Sequence, residues 1–423
     1  MHNQKKILWL CNGAFSDQGK KATGTWLQPL AEAIQKSGEY DIVNVSMRPG
    51  LKEMLSEKVG EIKQYLLPGE SRLKFNIFKC FWAKKRCKEI RRIVDDEKPD
   101  IVHIWGTEGV WGTAYRKGYI NANKVLLGIQ GLKFAYVPYY YGGLSFWETL
   151  KCLGPVEILY PPMSLWGLKL GFYLHGKEEY KMIKVFHYVT GTTEWVKNQV
   201  EMVNPNIKYY YVKRMMRQEF YDLKESWHPH DFGDAPQIFT TSSGSVPYKG
   251  FHILIKAIYE IKKKYPNVQL NIAGHFIKIK GYSLYVRRLI KSLELENNIH
   301  FLGSIDAAEI ISQLQQADVC VIPSFIETYC NAFAESMYVG TPTVGSFNGA
   351  MSELAVKDEE ALYYNSLDHV SCAKCIEKIL QSKELSIKLS NNGRRRRLVE
   401  SRYDTILNDQ LRVYHDMLLK EMI

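Results

Sequence analysis

The chain has 423 residues, which is long enough for two or three folding units and excludes a single small module. Hydrophobic residues make up 46% and charged residues 24%, so a disordered or low-complexity chain is excluded as well. The formal net charge of +11 favours anionic partners, namely phosphorylated ligands, acidic lipid surfaces or nucleic acid, without choosing among them. The eight cysteines are too sparse for a disulfide scaffold and predict a reducing, cytoplasmic setting.

Neither the start of the chain nor its most aromatic stretch has the pattern of a targeting or membrane-spanning segment. The apolar run after Lys6 stops at Asn12, which is too short for the core of a signal peptide. The stretch from Phe134 to Trp147 contains Pro138 and two glycines, and it falls short of the roughly 20 apolar residues of a spanning helix. We therefore expect neither an export signal nor a transmembrane helix.

Short apolar runs alternate with helix-period segments along the chain, as strands and crossover helices do in parallel sheets. In the first half, strands are predicted at Ile7 to Cys11, Asp41 to Ser46, Ile101 to Trp105, Val125 to Gln130 and Val185 to Thr190. In the second half, they are predicted at Ile238 to Ser242, Val268 to Ala273, His300 to Gly303, Val319 to Pro323 and Thr343 to Ser346, with a helix from His252 to Tyr265. The pattern predicts an α/β protein with two Rossmann-like, doubly wound domains.

A polar, turn-rich segment without apolar periodicity, DLKESWHPHDFGDAP at 222–236, is the predicted linker. It separates an N-terminal domain at 1–221 from a C-terminal domain at 237–402, and residues 403–423 predict an amphipathic helix that can pack on either domain. Ligands of open α/β sheets bind at the carboxyl ends of the strands, so the cleft between the domains is the expected site.

The most informative segment is Pro323 to Pro342, PSFIETYCNAFAESMYVGTP, which predicts a strand end, a short loop and a helix starting near Asn331. The free amides of Cys330, Asn331 and Ala332 and the positive end of the helix dipole suit a diphosphate. Glu327 in the loop and Glu335 on the helix would flank it, ready to accept hydrogen bonds from hydroxyl groups. Without this context, both glutamates read as solvated surface residues.

Seven residues separate Glu327 from Glu335, and this segment is preceded by VIPS and followed by GTPTVGSFNGAMSE. It resembles the donor-site signature of the retaining nucleotide-sugar glycosyltransferases of family 4, which have the GT-B fold. Three further segments resemble that family: GSVPYKG from Gly244 to Gly250, NIAG from Asn271 and FLGS from Phe301. The resemblance implies that Glu327 contacts the donor sugar, Glu335 the ribose and Lys249 the diphosphate. It makes Glu327 and Lys249 the candidate catalytic residues and extends the donor site to Gly250, Thr328, Cys330, Asn331 and Ala332.

The chain departs from the family pattern at several positions. Ser245 stands where many members have an arginine, which weakens the phosphate clamp or moves it elsewhere. Thr328 and Cys330 replace the usual glycines after the first glutamate, and Gln130 stands where many relatives have a histidine. Because glutamine cannot act as a base at ordinary pH, a mechanism with a titrating group there is in doubt.

The first half resembles the family less closely. Gly24 resembles its glycine-containing loop near the ligand, although a helix N-cap explains the residue equally well. His103 and Gln130 are the acceptor-side candidates, although a lone strand histidine is more often a core residue. Arg214 and Arg217 read as a solvated face and stay outside the predicted site.

The resemblance implies a retaining glycosyltransferase that moves a sugar from a nucleotide-diphosphate donor to an acceptor hydroxyl. The helix N-terminus and Lys249 would stabilise the leaving diphosphate, and a phosphate oxygen would take the acceptor proton, so we expect no metal and no cofactor. Two alternatives stay open: a non-catalytic basic protein that docks on membrane or nucleic acid, and a GT-B phosphorylase or epimerase. Nucleic acid is not an expected partner, because the four-arginine run from Arg394 comes without a nucleic-acid-binding fold.

Two segments bear on the acceptor, which we expect to be a saccharide or a lipid-linked saccharide in bacterial surface polysaccharide assembly. Lys74 to Arg92 holds eight basic residues and one acidic residue with interleaved aromatics, a pattern that suits an anionic membrane surface or a helix packed on the core. Phe134 to Leu174 predicts an aromatic insertion that suits sugar rings or lipid headgroups, or else a covered loop. These segments predict a cytoplasmic protein with a peripheral membrane contact.

Overall fold

The computed structural model describes residues 4–16, 26–69, 72–107, 109–122, 124–231, 233–241, 246–274, 276 and 281–419, and, in the helix at 72–97, side chains from residue 84 onward. Within these ranges the chain forms two α/β domains, each built on a parallel sheet with helices on its faces. The predicted fold class is confirmed.

The first sheet has eight strands in the spatial order β3-β4-β2-β1-β5-β6-β7-β8. All neighbours run parallel except the hairpin of β3 and β4. Strand β5 is buried at every position, as expected for a strand covered on both faces. The strands are β1 (Lys5–Leu10), β2 (Tyr40–Pro49), β3 (Leu55–Val59), β4 (Ile62–Gly69), β5 (Ile101–Trp105), β6 (Val125–Gly128), β7 (Tyr188–Gly191) and β8 (Lys208–Tyr211).

The second sheet has six parallel strands in the order β11-β10-β9-β12-β13-β14. This is the doubly wound order 3-2-1-4-5-6, in which the winding direction reverses between the first and fourth strands, here β9 and β12. The strands are β9 (Gln237–Thr241), β10 (Gln269–Ala273), β11 (Ile299–Gly303), β12 (Val319–Ile322), β13 (Thr343–Ser346) and β14 (Leu362–Tyr364). The sequence analysis located every strand of this sheet except β14.

The crossover helices start and stop at ordinary capping signals. Asp306 and Glu309 form a capping box at the start of α12, and Gly340, with φ of +97°, ends α13 in the left-handed conformation. The helices are α1 (Leu27–Ser37), α2 (Arg72–Glu97), α3 (Trp111–Arg116), α4 (Lys133–Tyr136), α5 (Phe146–Leu150), α6 (Pro155–Leu159), α7 (Leu165–Ile183), α8 (Glu194–Val203), α9 (Gln218–Tyr221), α10 (Phe251–Lys262), α11 (Tyr282–Ser292), α12 (Ala307–Gln316), α13 (Asn331–Val339), α14 (His369–Gln381), α15 (Lys383–Glu400) and α16 (Tyr403–Leu419).

The chain passes from the first core to the second earlier than the sequence predicts. Met215 is buried in the first-domain core, whereas Met216 and Phe220 are buried in a core of the second domain. The predicted linker is also not a free connection, because Trp227 is buried and its indole donates a hydrogen bond to the carbonyl of Ala317 at 2.7 Å. One tryptophan in a polar segment does not create an apolar periodicity, so the sequence pattern did not predict this packing.

The C-terminal helix α16 returns to the first domain, a choice that the sequence left open. Ile406, Leu411 and Met417 are buried in the same core as β1. Tyr414 accepts a hydrogen bond from the indole of Trp9 at 2.9 Å, and its hydroxyl lies 2.7 Å from Nδ1 of His103. The helix therefore links the end of the chain to its first strand.

The predicted aromatic insertion forms α4 to α6 and the first part of α7, and it packs against the second domain. Leu144, Cys152 and Leu165 are buried in one core cluster with residues of α10 and α11. Nε2 of His252 donates to the carbonyl of Gly142 at 2.9 Å, which holds the insertion on α10. The insertion is therefore a structural bridge between the domains.

Among the described residues, no helix combines the length and the apolar character that crossing a bilayer requires.

Candidate functional site

The loops that follow β9 and β12 lie side by side, because these strands are neighbours at the point where the winding reverses. A cavity of about 430 Å³ opens there and extends to the loop after β6 of the first domain. Its charged and polar lining includes Lys249, Glu327, Asn331, Glu335, Arg214, Arg217 and Gln130, and its aromatic lining includes Trp26, Tyr136, Tyr248 and Tyr329.

Lys249 and Glu327 form an ion pair at 2.6 Å in this cavity. Their side chains are only 17% and 11% exposed, so each charge depends on the other for solvation. Burial opposes the charge of Lys249, but the Glu327 carboxylate outweighs it and raises the pKa of the lysine above its usual value. Lys249 therefore stays charged at neutral pH.

Gly250 fixes the position of this lysine. It adopts φ of +72°, and a Cβ atom there would lie 1.8 Å from the carbonyl oxygen of Pro323. Only glycine allows both the left-handed backbone and this close approach. The loop after β9 is thereby pressed against the end of β12, which brings Lys249 to Glu327.

Helix α13 points its N-terminus at the cavity, and Cys330, Asn331 and Ala332 line it. Cys330 is the N-cap and gives no side-chain cap, so the first amides of the helix are not satisfied by a capping side chain. Glu335, one turn along, also lines the cavity and accepts a hydrogen bond from Arg217 at 3.0 Å. Burial raises the pKa of the Glu335 carboxyl, and Arg217 partly offsets that effect.

Arg214 lies beside the N-terminus of α13 and differs from the other cations of the cavity. Its guanidinium carbon is 5.1 Å from the ring centre of Trp26 and 5.3 Å from that of Tyr329. The guanidinium donates to the side-chain oxygen of Asn331 at 3.4 Å and to the carbonyl of Gln130 at 3.2 Å. Its Nε is buried without a hydrogen-bond partner, and no carboxylate of the described residues is within ion-pair distance.

The three cations and two carboxylates of the lining leave an excess of one positive charge, which lies at Arg214. Burial lowers the pKa of this arginine from its ordinary value, yet arginine stays protonated in proteins at physiological pH. A half-buried cation that forms no ion pair among the described residues, next to a helix N-terminus, is a candidate site for an anion.

Several predicted site residues line the cavity, and others do not. Lys249, Glu327, Glu335 and the three helix-start residues lie there, as does Gln130, whose backbone carbonyl is the group engaged by Arg214. Thr328 does not line the cavity: its hydroxyl donates to the Gln130 carbonyl at 2.7 Å, and its own carbonyl accepts from Thr193 at 3.1 Å. Gly250 also stays outside the lining and acts through Lys249.

The structure does not bring His103 to the cavity. Its side chain is fully buried in the first-domain core, where it stacks on Trp105 with ring centres 3.7 Å apart and bonds to Tyr414. Burial lowers the pKa of His103 well below its ordinary value. Both faces of β5 are covered, so this residue is buried whichever face it lies on, which the sequence alone could not decide. Gly24 and Ser245 lie outside the described residues.

Arg214 and Arg217 are the main residues that the sequence analysis missed. It assigned both to a solvated face, but each lines the cavity and binds a residue of α13. The one available signal was their place between two domains, in the short segment KRMMR that crosses from one core to the other.

Comparison with known proteins identifies the kind of domain that contains the second sheet. Residues 225–396 match the family model of Glycosyl transferases group 1, so the chain carries a domain of that kind around the second sheet. Protein CapJ of Staphylococcus aureus is 28% identical over 155 residues, which cover 36% of this chain and 38% of CapJ. The chain spans less than half the length of the curated relatives it matches.

Solved structures share the whole two-domain arrangement. Sucrose-phosphate synthase from Thermosynechococcus elongatus superposes with a TM-score of 0.75 at 16% identity, covering 99% of this chain and 100% of that one. Anabaena HepE, solved in complex with UDP and glucose, superposes with a TM-score of 0.65 at 14% identity, covering 98% and 100% of the two chains. The chain therefore has the GT-B fold of these glycosyltransferase structures.

Proposed function

We propose that this protein is a retaining glycosyltransferase that moves a sugar from a nucleoside-diphosphate donor to an acceptor hydroxyl. The observation that carries the proposal is Arg214, a half-buried cation that forms no ion pair among the described residues, has a buried Nε without a hydrogen-bond partner, and donates to the first residue of α13. Guanidinium groups and helix N-termini both bind phosphate oxygens through charge-assisted hydrogen bonds. A diphosphate at this point would receive both.

The crossing segment then supplies the positive charge that the family pattern places in the loop after β9. In this chain that position is Ser245, whereas Arg214 approaches the same helix start from the first domain. Together with Lys249, it would neutralise the diphosphate as it leaves, so the proposal requires no metal ion. Retention of configuration rests on the resemblance of the segment from Glu327 to Glu335 to the family 4 signature.

The two carboxylates give the donor its orientation. Glu335 is held by Arg217 within reach of the cavity, where its free oxygen can accept from ribose hydroxyls. Glu327, held by Lys249, would face the donor sugar. The acceptor hydroxyl would attack from the leaving-group side, and its proton would pass to a phosphate oxygen, so Gln130 needs no acid-base role.

The acceptor side is proposed by chemistry. A saccharide or lipid-linked saccharide would enter along the aromatic lining formed by Tyr136 and Tyr248, whose rings stack well on sugars. This fits a step in the assembly of a bacterial surface polysaccharide on the cytoplasmic side of a membrane. HepE, with the same fold, was solved with UDP and glucose, which makes UDP the first nucleotide to test.

Calorimetric titration with UDP and GDP, followed by a screen of nucleotide sugars for hydrolysis and transfer, tests the proposal. We expect saturable binding that Arg214→Ala weakens by about tenfold to a hundredfold, the size of a lost charge-assisted hydrogen bond. Arg412→Ala, which removes an arginine that is 75% exposed, is the matched control and should leave binding unchanged. Phospholipid or DNA binding without nucleotide affinity would instead identify a docking protein, and release of sugar phosphate or a free epimer would identify a phosphorylase or epimerase.

A further inference from the structure

The insertion exposes several large apolar side chains. Six of them, which are between 50% and 84% exposed, are called the apolar patch: Phe146, Trp147, Ile158, Leu159, Leu170 and Leu174. They come from α5, α6 and α7, and Phe146 of α5 stacks on Trp166 of α7 with ring centres 6.1 Å apart, which places these two helices side by side. An exposed group of this kind marks an interaction surface in a folded protein.

The helices that carry the patch are fixed to the second domain by hydrogen bonds and buried side chains. Glu148 of α5 bonds to Lys256 at 3.2 Å and accepts from the hydroxyl of Tyr285 at 2.7 Å. Ser164 caps α7, and the next residue, Leu165, is buried in the second-domain core. The apolar side chains are therefore held outward by elements whose inner sides are fixed, so their exposure is a property of the folded state.

The acidic groups near the patch are all paired or buried. Between residues 146 and 183 there are four lysines, Lys151, Lys169, Lys177 and Lys181, and four glutamates. Glu148 is bound as described, and Glu157 is buried and accepts from the amide of Gly154 at 3.0 Å. Glu178 pairs with Arg116 and with Lys181, both at 2.9 Å, and Glu179 is buried. Lys169 and Lys177 lie over the rings of Tyr141 and Tyr173, at 4.1 and 4.7 Å.

We infer that the apolar patch docks on the surface of a bilayer that contains anionic lipids. Tryptophan, tyrosine and leucine side chains enter the interface between headgroups and acyl chains, and neighbouring lysines bind anionic headgroups. A second copy of this chain is the less suitable occupant, because a two-fold contact would bring two sets of lysines together. The positive net charge of the whole chain acts in the same direction.

The same insertion reaches the donor cavity, which gives the docking a consequence for the reaction. Tyr136 lines the cavity, and Tyr140 packs on Tyr248, the neighbour of Lys249, with ring centres 6.2 Å apart. A saccharide carried on a lipid headgroup would be brought to the insertion, which contributes Tyr136 to this lining. That consequence rests on the proposed function, whereas the membrane contact itself does not.

Co-sedimentation with vesicles tests the contact. The full chain is mixed with phosphatidylcholine vesicles and with vesicles in which about one third of the lipid is phosphatidylglycerol. We expect binding to the anionic vesicles, reduced at least about tenfold in the double variant Trp147→Ser with Leu159→Ser, since two large side chains lose their apolar transfer. The matched control, Met202→Ser with Val399→Ser, removes side chains of 84% and 64% exposure elsewhere and should bind like the parent.

Lysine variants measure how much the lysines contribute to vesicle binding, separately from the apolar side chains. Replacing Lys151, Lys169 and Lys177 with glutamine should lower the preference for anionic vesicles by about fivefold for each lysine. UDP titration of the same variants should be unchanged, which keeps a failure of docking distinct from a failure of the donor site. The inference is overturned if the parent does not sediment with anionic vesicles, if the control variant loses binding equally, or if the patch variant instead dissociates a dimer in analytical ultracentrifugation.

Discussion

The ion pair of Lys249 and Glu327 makes the sharpest test of how the donor site is built. In Lys249→Met, the carboxylate of Glu327 remains 11% exposed and loses its partner at 2.6 Å. Breaking a buried pair from one side costs about 3–5 kcal/mol. We expect about 3 kcal/mol here, at the lower end, because both groups border a cavity that admits water. For a domain of about 200 residues this lowers Tm by about 6–12 °C.

The double variant Lys249→Met with Glu327→Gln removes the stranded charge and should recover most of that loss. Differential scanning calorimetry of the parent, both single variants and the double variant gives the coupling energy between the two residues. The two variants that lack Lys249 should fail to transfer sugar, because the double variant regains stability but not the lysine that we propose to bind the diphosphate. Glu327→Gln should fail because it loses the carboxylate that we propose to face the donor sugar. Stability and activity would thus separate in one set of proteins.

Lys263→Met is the matched control for this set. Lys263 pairs with Glu260 at the same distance, 2.6 Å, but the two side chains are 56% and 31% exposed. Its loss should cost less than about 1 kcal/mol, because exposed pairs contribute little. The reasoning is refuted if Lys249→Met and Lys263→Met lower Tm equally, or if the double variant is no more stable than Lys249→Met.

Three further predictions concern the bridge, the phosphate site and the loop after β9. Burial lowers the pKa of His252 to about 4, so the histidine binds a proton more readily in the unfolded state than in the folded state. The free energy of unfolding should therefore fall by up to about 3 kcal/mol as the pH drops from 6.5 to 4, and the Tm of His252→Gln should vary less over that range. Arg214→Lys should keep part of the UDP affinity that Arg214→Ala loses, since lysine retains the charge but not the planar fork, and calorimetric titration compares the two. Gly250→Ala should lower Tm and weaken UDP binding, because the added Cβ would clash with the carbonyl of Pro323. Gly38 has a similar φ of +76°, but a Cβ there would have no atom within 4 Å, so Gly38→Ala should show only the backbone cost of about 1–2 kcal/mol.

The sequence by itself determined the fold class and pointed to three residues that line one cavity. Buried strands such as β5 and β12 are short aliphatic runs, and their periodicity is local, so it can be read without knowing their neighbours. The start of α13 at Asn331 was equally local. The roles of Lys249, Glu327 and Glu335 came from a resemblance in motif, and these three residues line one cavity.

Tertiary structure alone decided which residues from distant segments meet. The reversal of winding between β9 and β12 sets two loops side by side, and chain order does not reveal this. Arg214 joins them from the crossing segment, whereas His103 turns into the core because the first sheet is covered on both faces. The sequence pattern predicts that a charged side chain in a short connection is solvated. Its burial depends on contacts with other segments, so it cannot be seen in the sequence of one segment alone.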